Sequence, residues 1–152
     1  MNIVLYQPQI PPNTGNIART CACTGAALHL IKPLGFSTNE KTLRRAGLDY
    51  WHLLDVYYYD SLLELIEKYS DYNFYFATKF AKQFYTEVEY SQNDFLVFGN
   101  ETAGLPAKIR ETYQEYNIRI PMLAEARALN LANAVSIVLY EALRQLQFVD
   151  LS

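Results

Sequence analysis

Three short segments of this chain combine polar side chains with glycine or alanine neighbours, as residues that bind a ligand often do. The first, NTGNIAR, covers residues 13–19, and the second, FGNETAGL, covers residues 98–105. The third consists of IPM at residues 120–122 and ALNLAN at residues 128–133. Arginine binds anions through its guanidinium, while carboxylates and amides accept hydrogen bonds and position other groups. Each segment alone is a weak signal, but we expect the three to form one site.

The hydrophobic pattern predicts strands that alternate with helices. Apolar runs predict strands at 2–6, 27–31, 54–59, 73–78, 94–98 and 117–120. Helices are predicted at about 13–24, 40–46, 61–69 and 106–113, and from Leu129 onward, with Asn13 as the N-cap of the first. This alternation indicates an α/β fold with a largely parallel sheet. Ligands of such sheets bind outside the carboxyl ends of the strands, which is where the three segments lie.

Length and composition indicate one globular domain over residues 1–152, since the chain is 51% hydrophobic and 19% charged. Two cysteines and two histidines show no metal-ligand spacing, so we expect no metal site. The first apolar run, at residues 3–6, is too short for an export signal or a membrane span. We therefore expect a cytoplasmic protein that does not bind membranes.

A formal net charge of −3 argues against a broadly basic nucleic-acid binder, yet the charge is uneven. Residues 1–52 carry five Lys/Arg against two Asp/Glu. Three of these cations, Lys41, Arg44 and Arg45, precede the aromatic pair at residues 50–51. Basic residues interleaved with aromatics suit RNA, because bases stack and phosphates pair with cations. The alternative is a solvated helix whose aromatic neighbours lie in the core.

Taken in order, the three segments resemble motifs of the SPOUT superfamily of RNA methyltransferases. NTGNIAR is similar to its N-x-G-N-x-x-R motif, FGNETAGL to its F-G-x-E-x-x-G-L motif, and the third segment to its I-P-M and L-N-L-x-N-A motifs. The likeness covers essentially the whole chain. It is strongest to the small single-domain members of the TrmL or YibK type, which 2'-O-methylate the wobble nucleotide of tRNA.

This resemblance implies a single-domain, parallel-sheet α/β-knot fold with a deep C-terminal trefoil knot at about residues 75–152. It also implies methyl transfer from S-adenosyl-L-methionine, which leaves S-adenosyl-L-homocysteine, to nucleotide 34 of tRNA, a cytidine or a modified uridine. No metal would be required. The family works as homodimers with the active site at the interface, so a homodimer is expected here.

Site residues follow from the resemblance position by position. By the resemblance the catalytic set is Arg19, Asn13, Glu101 and Asn130, and Arg19 would help to activate the hydroxyl. Because a guanidinium is almost never deprotonated, we expect Arg19 instead to clamp a phosphate and stabilise the developing alkoxide. From the charge pattern, Lys41, Arg44 and Arg45 are expected to bind RNA together with Arg19. The residues expected to contact the cofactor are Thr78, Gly99, Ile120, Met122, Ala128, Leu129 and Asn130.

One residue departs from the family pattern, because relatives commonly carry serine where this chain has Ala128. A hydroxyl that only hydrogen-bonds would be worth about 1 kcal/mol, so we expect the chain to be active. A non-catalytic RNA-binding protein with the same fold, and a 2'-O-methyltransferase that acts on another tRNA or rRNA position, stay open. A Rossmann-type enzyme is disfavoured, because QPQIPPN replaces the Gly-rich turn that would follow the first strand.

Overall fold

The structure is a computed structural model, and it describes residues 1–37, 53–149 and 151–152. Its strands are β1 (Asn2–Tyr6), β2 (Ala27–Ile31), β3 (Val56–Tyr59), β4 (Phe74–Ala77), β5 (Gln83–Phe84), β6 (Phe95–Phe98) and β7 (Asn117–Arg119). Its helices are α1 (Pro11–Thr24), α2 (Leu62–Lys68), α3 (Ala107–Thr112) and α4 (Leu131–Gln145), with a 3-10 turn at Gln114–Tyr116. The predicted helix at about 40–46, with Lys41, Arg44 and Arg45, lies outside the described residues.

Within the described part of the chain, the strands form one seven-stranded sheet in the order β3-β2-β1-β6-β4-β7-β5. Every neighbouring pair is parallel, as the alternation of strands and helices predicts. Alternate side chains of β1 point to opposite faces, so Ile3 packs in one core and Val4 in the other. The central strands are covered on both faces, which explains their continuous apolar runs.

Two cores lie on the two faces of this sheet. The core on the first face includes Ile17 of α1 and Val135, Val138 and Leu139 of α4, which are all fully buried. The core on the second face includes Leu62 and Leu65 of α2, together with aromatic side chains of β4 and β6. Helices α1 and α4 also contact each other, and this contact brings the first and third motifs together.

The start of α1 differs from the prediction, and Asn13 is not its N-cap. The helix begins at Pro11, with Pro12 in its first turn and Ile10 at the cap position. Proline is tolerated there, because its fixed φ suits a helix and the first-turn N–H groups have no helical partner. The side chain of Asn13, now inside the first turn, is therefore available for contacts outside the helix.

The other differences concern boundaries and one short strand. Strand β5 was not predicted, because two residues are too few to show a period of two; it pairs with β7. Helix α4 begins at Leu131 rather than Leu129, with Asn130 as its N-cap. Pro106 is the cap of α3 rather than its first residue. The predicted strands are one or two residues too long in several places, the usual range of such boundary errors.

Candidate active site

The three motif segments meet at the carboxyl edge of the sheet, through a chain of hydrogen bonds centred on Glu101. Its carboxylate accepts hydrogen bonds from the N–H groups of Gln9 (2.9 Å) and Ile10 (3.1 Å). The side-chain Nδ2 of Asn13 donates to the same carboxylate, at 3.1 Å. A negative charge is favourable here, since the first N–H groups of a helix are free and its N-terminus is positive.

Asn130 extends this network from α1 to α4. Its Nδ2 donates to Oδ1 of Asn13 at 3.0 Å. Its own Oδ1 accepts from the N–H groups of Ala132 (2.9 Å) and Asn133 (3.3 Å), which caps α4. Asn13 is therefore held in one orientation, with its amide donating to Glu101 and its carbonyl accepting from Asn130. One residue from each of the three motifs takes part, so we name Glu101, Asn13 and Asn130 the motif network.

The loop that presents Glu101 has a tight turn at Gly99. A Cβ added to Gly99 would lie 2.1 Å from the carbonyl carbon of Gly104 and 2.2 Å from the N of Leu105. Both atoms belong to the backbone, so no side chain fits at this position. Gly104 has a φ of 68°, and its N–H donates to the Asn100 carbonyl at 3.0 Å. The loop thus folds back on itself at the end of β6, with backbone in place of side chains.

The other residues expected to contact the cofactor lie on neighbouring loops of the same edge. Thr78 follows β4, and its N–H donates to the Ile118 carbonyl of β7 at 2.9 Å. Ile120 and Met122 are half-buried after β7, and Ile120 packs against the first core. Ala128 is exposed just before the Asn130 cap. The remaining one is Leu129, which is 40% exposed.

These residues fit S-adenosylmethionine in chemical character. The turn at Gly99 places backbone rather than side chains at this edge, and backbone N–H and C=O groups are of the kind that hydrogen-bond an adenine. Ile120, Met122 and Leu129 supply apolar surface for a ring. No cluster of three or more His, Cys, Asp or Glu side chains suited to a metal occurs among the described residues.

Arg19 lies on the exposed side of α1, six residues after Asn13. The next residue, Thr20, is 3.4 Å from Ser136 of α4, measured between the two hydroxyl oxygens. Arg19 therefore projects from the helix pair that carries two of the motifs.

Sequence patterns did not point to the backbone N–H groups of Gln9 and Ile10, which hold Glu101. Backbone groups carry no residue-type signal, so this part of the site had to come from the structure.

The sheet is that of an α/β domain, a class that binds its ligands at the carboxyl edge, where the motif network lies. Residues 1–140 match the model of the SpoU rRNA Methylase family. This chain belongs to that family. A protein of Geobacillus stearothermophilus is 52% identical over 155 residues, covering 100% of this chain and 99% of the relative. The tRNA (cytidine(34)-2'-O)-methyltransferase of Escherichia coli K12 is 47% identical over 149 residues, covering 97% of this chain and 95% of the relative.

Solved structures give the same family. One, from work on the 2-OH methylation of C/U34 on tRNA, has a TM-score of 0.90 and 41% identity over 96% of this chain and 95% of that chain. The SpoU methyltransferase AviRb of Streptomyces viridochromogenes, in complex with AdoMet, has a TM-score of 0.85 and 26% identity over 97% of this chain and 58% of that chain. The resemblance to the SPOUT superfamily and the α/β-knot fold class are thereby confirmed. The extent of the knot, at about residues 75–152, stays a prediction.

Proposed function

We propose that this chain transfers a methyl group from S-adenosylmethionine to the ribose 2'-hydroxyl of nucleotide 34 of tRNA, a cytidine or a modified uridine. The observation that carries the proposal is the motif network, which joins one residue of each motif at the carboxyl edge of the sheet. The similarity to the E. coli enzyme, over nearly the full length of both chains, supports the same substrate. A tRNA substrate in turn supports a cytoplasmic location.

The cofactor would be held by the backbone around Gly99 and by the loops at Thr78, Ile120 and Ala128, with Met122, Leu129 and Asn130 beside them. When bound, S-adenosylmethionine supplies an electrophilic methyl group on a sulfonium. The chain must then place the 2'-hydroxyl next to that methyl and stabilise the negative charge that develops on the oxygen, while the hydroxyl proton passes to water. No metal is needed for either task.

Arg19 is the residue proposed to act on the hydroxyl. A guanidinium keeps its protons in proteins, so it cannot serve as a general base. It can donate hydrogen bonds to a phosphate of the RNA and to the oxygen as charge develops there. Its exposed position on α1 suits contact with an RNA backbone.

Glu101 and Asn13 act by holding the start of α1, and with it Arg19, in place. Both Glu101 oxygens already accept hydrogen bonds, from two backbone N–H groups and from Asn13. We therefore assign Glu101 as a positioning residue, which fixes the start of α1 and with it the direction of Arg19. Asn130 donates a hydrogen bond to Asn13 and also caps α4, so it links the start of α1 to the start of α4.

A homodimer is part of the proposal. On α4, Ile137 is 36% exposed and Tyr140 is 47% exposed, although this helix buries its opposite side in the first core. These residues form an apolar outer surface beside α1, the helix that carries Arg19. Association of two copies through this surface would bury it and bring Arg19 near the partner's cofactor loops, so that each site draws on both chains.

Methyl transfer to tRNA from cells that lack this protein tests the proposal. With radiolabelled S-adenosylmethionine, label should appear in an alkali-resistant dinucleotide that contains nucleotide 34, because alkali cannot cleave next to a 2'-O-methylated ribose. Label at another position would keep the chemistry and reject the nucleotide. Absence of label in any tRNA, in a preparation that binds S-adenosylmethionine, would reject the activity.

The alanine at position 128, where relatives commonly carry serine, favours a second candidate function, that of a non-catalytic RNA-binding protein of the same fold. The substitution Ala128→Ser distinguishes the two. If the missing hydroxyl only hydrogen-bonds, the wild type is active and the variant gains about fivefold or less, which corresponds to about 1 kcal/mol. If the wild type is inactive and Ala128→Ser gains activity, the hydroxyl is required and the natural chain is the RNA binder.

A further inference from the structure

An exposed aromatic side chain lies at the rim of the candidate active site, and the guanidinium of an arginine lies over its ring. Phe80 is 64% exposed, two residues after Thr78. The guanidinium carbon of Arg110, on α3, lies 4.2 Å from the centroid of its ring. The Nζ of Lys79 is also near this ring, at 5.4 Å. We name Phe80 and Arg110 the Phe80–Arg110 stack.

The stack is attached to two of the loops that form the site. The N–H of Phe80 lies 3.4 Å from Oγ1 of Thr78, which accepts its hydrogen bond. The Nε of Arg110 donates to the carbonyl of Leu105 at 3.1 Å, and Leu105 is buried at the end of the Gly99 loop. Both members are thus held in place by the loops of the site, and an arginine fixed through Nε keeps its two Nη groups for another partner.

The two stretches of sequence that carry the stack differ in charge from the rest of their region. Residues 53–115 carry five Lys/Arg against eleven Asp/Glu. Four of those five cations lie close to the stack in sequence, in two stretches, 72–86 and 102–110, that contain no Asp or Glu. The contact between Phe80 and Arg110 brings the two stretches together. The four cations are Lys79, Lys82, Lys108 and Arg110.

We infer that the Phe80–Arg110 stack binds a nucleotide of the single-stranded RNA loop that contains the methylated nucleotide, with the base stacked on the pair and phosphates paired with Lys79 and Lys82. This rests on the proposed function and adds a substrate-binding surface to it. Aromatic rings and guanidinium planes are the groups on which proteins stack unpaired bases. Phe80 exposes most of its surface to solvent, so it contributes little to the core and a purely structural role explains it poorly.

Equilibrium binding of tRNA from cells that lack this protein, followed by fluorescence anisotropy, tests the inference. Phe80→Leu keeps an apolar side chain but removes the ring, and Arg110→Lys keeps the charge but removes the planar group. Each should raise the Kd for tRNA by about fivefold or more, the range measured for removal of one base–aromatic stack. The Kd for S-adenosylmethionine should stay as in the wild type.

Salt dependence supplies a second readout, which a structural role would not change. Lys79→Ala combined with Lys82→Ala should lower the slope of log Kd against log salt by about 0.7 for each RNA phosphate that is no longer paired with a lysine. Leu63→Ala and Lys68→Gln, on α2, are the matched controls; Leu63 is 57% exposed and neither residue belongs to the stack. Both should bind tRNA as the wild type does.

The outcomes separate this inference from the proposed function. Wild-type affinity for tRNA in both stack variants would overturn the inference alone. A weaker S-adenosylmethionine affinity with unchanged tRNA affinity would also overturn it, and would make the stack a cover for the cofactor. A wild-type chain that binds no tRNA would overturn the proposed function and the inference with it. Arg110→Lys, at a half-buried surface position, provides the test even if Phe80→Leu fails to fold.

Discussion

Asn130 does two things at once, and two substitutions separate them. Its Oδ1 caps α4, while its Nδ2 donates to Asn13. Asn130→Asp keeps the acceptor oxygen but loses the donor. We expect this variant to unfold at nearly the wild-type denaturant concentration, and its kcat/KM to fall by about tenfold to a hundredfold, because Asn13 and Glu101 lose their fixed orientation.

Ser61→Ala is the matched control for the cap. Ser61 caps α2 by accepting from the N–H of Glu64 at 3.1 Å, and it is not part of the motif network. Its loss should lower the free energy of unfolding by about 1 kcal/mol and leave kcat/KM unchanged. If Asn130→Asp kept full activity, the motif network would have no role in positioning.

His29 provides a prediction about pH. It is 1% exposed in β2, its Nε2 lies 3.1 Å from Oδ1 of Asn2, and its ring stacks on Tyr57. Burial, with a smaller effect from the charge of Lys68, lowers the pKa of His29 to about 4. Between about pH 6.5 and pH 4 the unfolded chain therefore binds a proton that the folded chain does not, so stability falls as the pH falls through this window.

By pH 5 this single group should lower the free energy of unfolding by about 2 kcal/mol relative to pH 7. Urea unfolding of the wild type and of His29→Gln at both pH values measures the effect. The variant should lose that share of the pH dependence. An equal pH dependence in both proteins would mean that His29 does not remain neutral in the folded state.

At the scale of elements, the Gly99 turn makes the strictest demand on sequence. Gly99→Ala would place a Cβ 2.1 Å from backbone, so the loop must move. We expect a loss of about 3 kcal/mol of stability and loss of S-adenosylmethionine binding by calorimetry.

Gly25→Ala is the comparison for this substitution. Gly25 has a φ of 68° but nothing within 4 Å of an added Cβ, so only backbone strain opposes the change. It should cost about 1 kcal/mol and leave cofactor binding intact. Equal effects of the two substitutions would contradict the role assigned to close packing at Gly99.

Sequence patterns predicted the elements better than they predicted the contacts between them. β1 and β2 were predicted to the residue, because their apolar runs end at polar turns. Asn13 was misread as a cap, since the fixed φ of Pro11 and Pro12 lets α1 begin earlier. The bonds from Asn13 to Glu101 and Asn130 span 88 and 117 residues, and no local periodicity reports a contact at such separations. Two indications that the three motifs meet came from the sequence: each follows the carboxyl end of a predicted parallel strand, and together they resemble the motifs of one superfamily.

For the whole molecule, the remaining question is assembly. Ile137→Asp places a charge on the apolar outer surface of α4, and a buried unpaired charge is costly at an interface. We expect light scattering to show a dimer for the wild type and a monomer for the variant, with activity reduced because each site then lacks the partner's Arg19. Leu63→Asp, on an exposed position of α2 on the other face of the sheet, should remain dimeric and active.

A wild-type chain that is monomeric at the concentrations where it methylates tRNA would contradict the shared site. In that case the exposed Ile137 and Tyr140 would need another explanation, and Arg19 would have to serve the site of its own chain.

Among the residues that the structure describes, none of the helices has the length and apolar character that a membrane span requires.

The most direct test of the central claim compares two tRNAs that differ in one oxygen. One carries cytidine at position 34, and the other carries 2'-deoxycytidine there. Each is incubated with the wild-type protein and radiolabelled S-adenosylmethionine. We predict that the first accepts one methyl group per molecule and the second none, although both bind with similar affinity. Equal labelling of both tRNAs would contradict this claim, because the methyl group would then be going to a base or to another ribose.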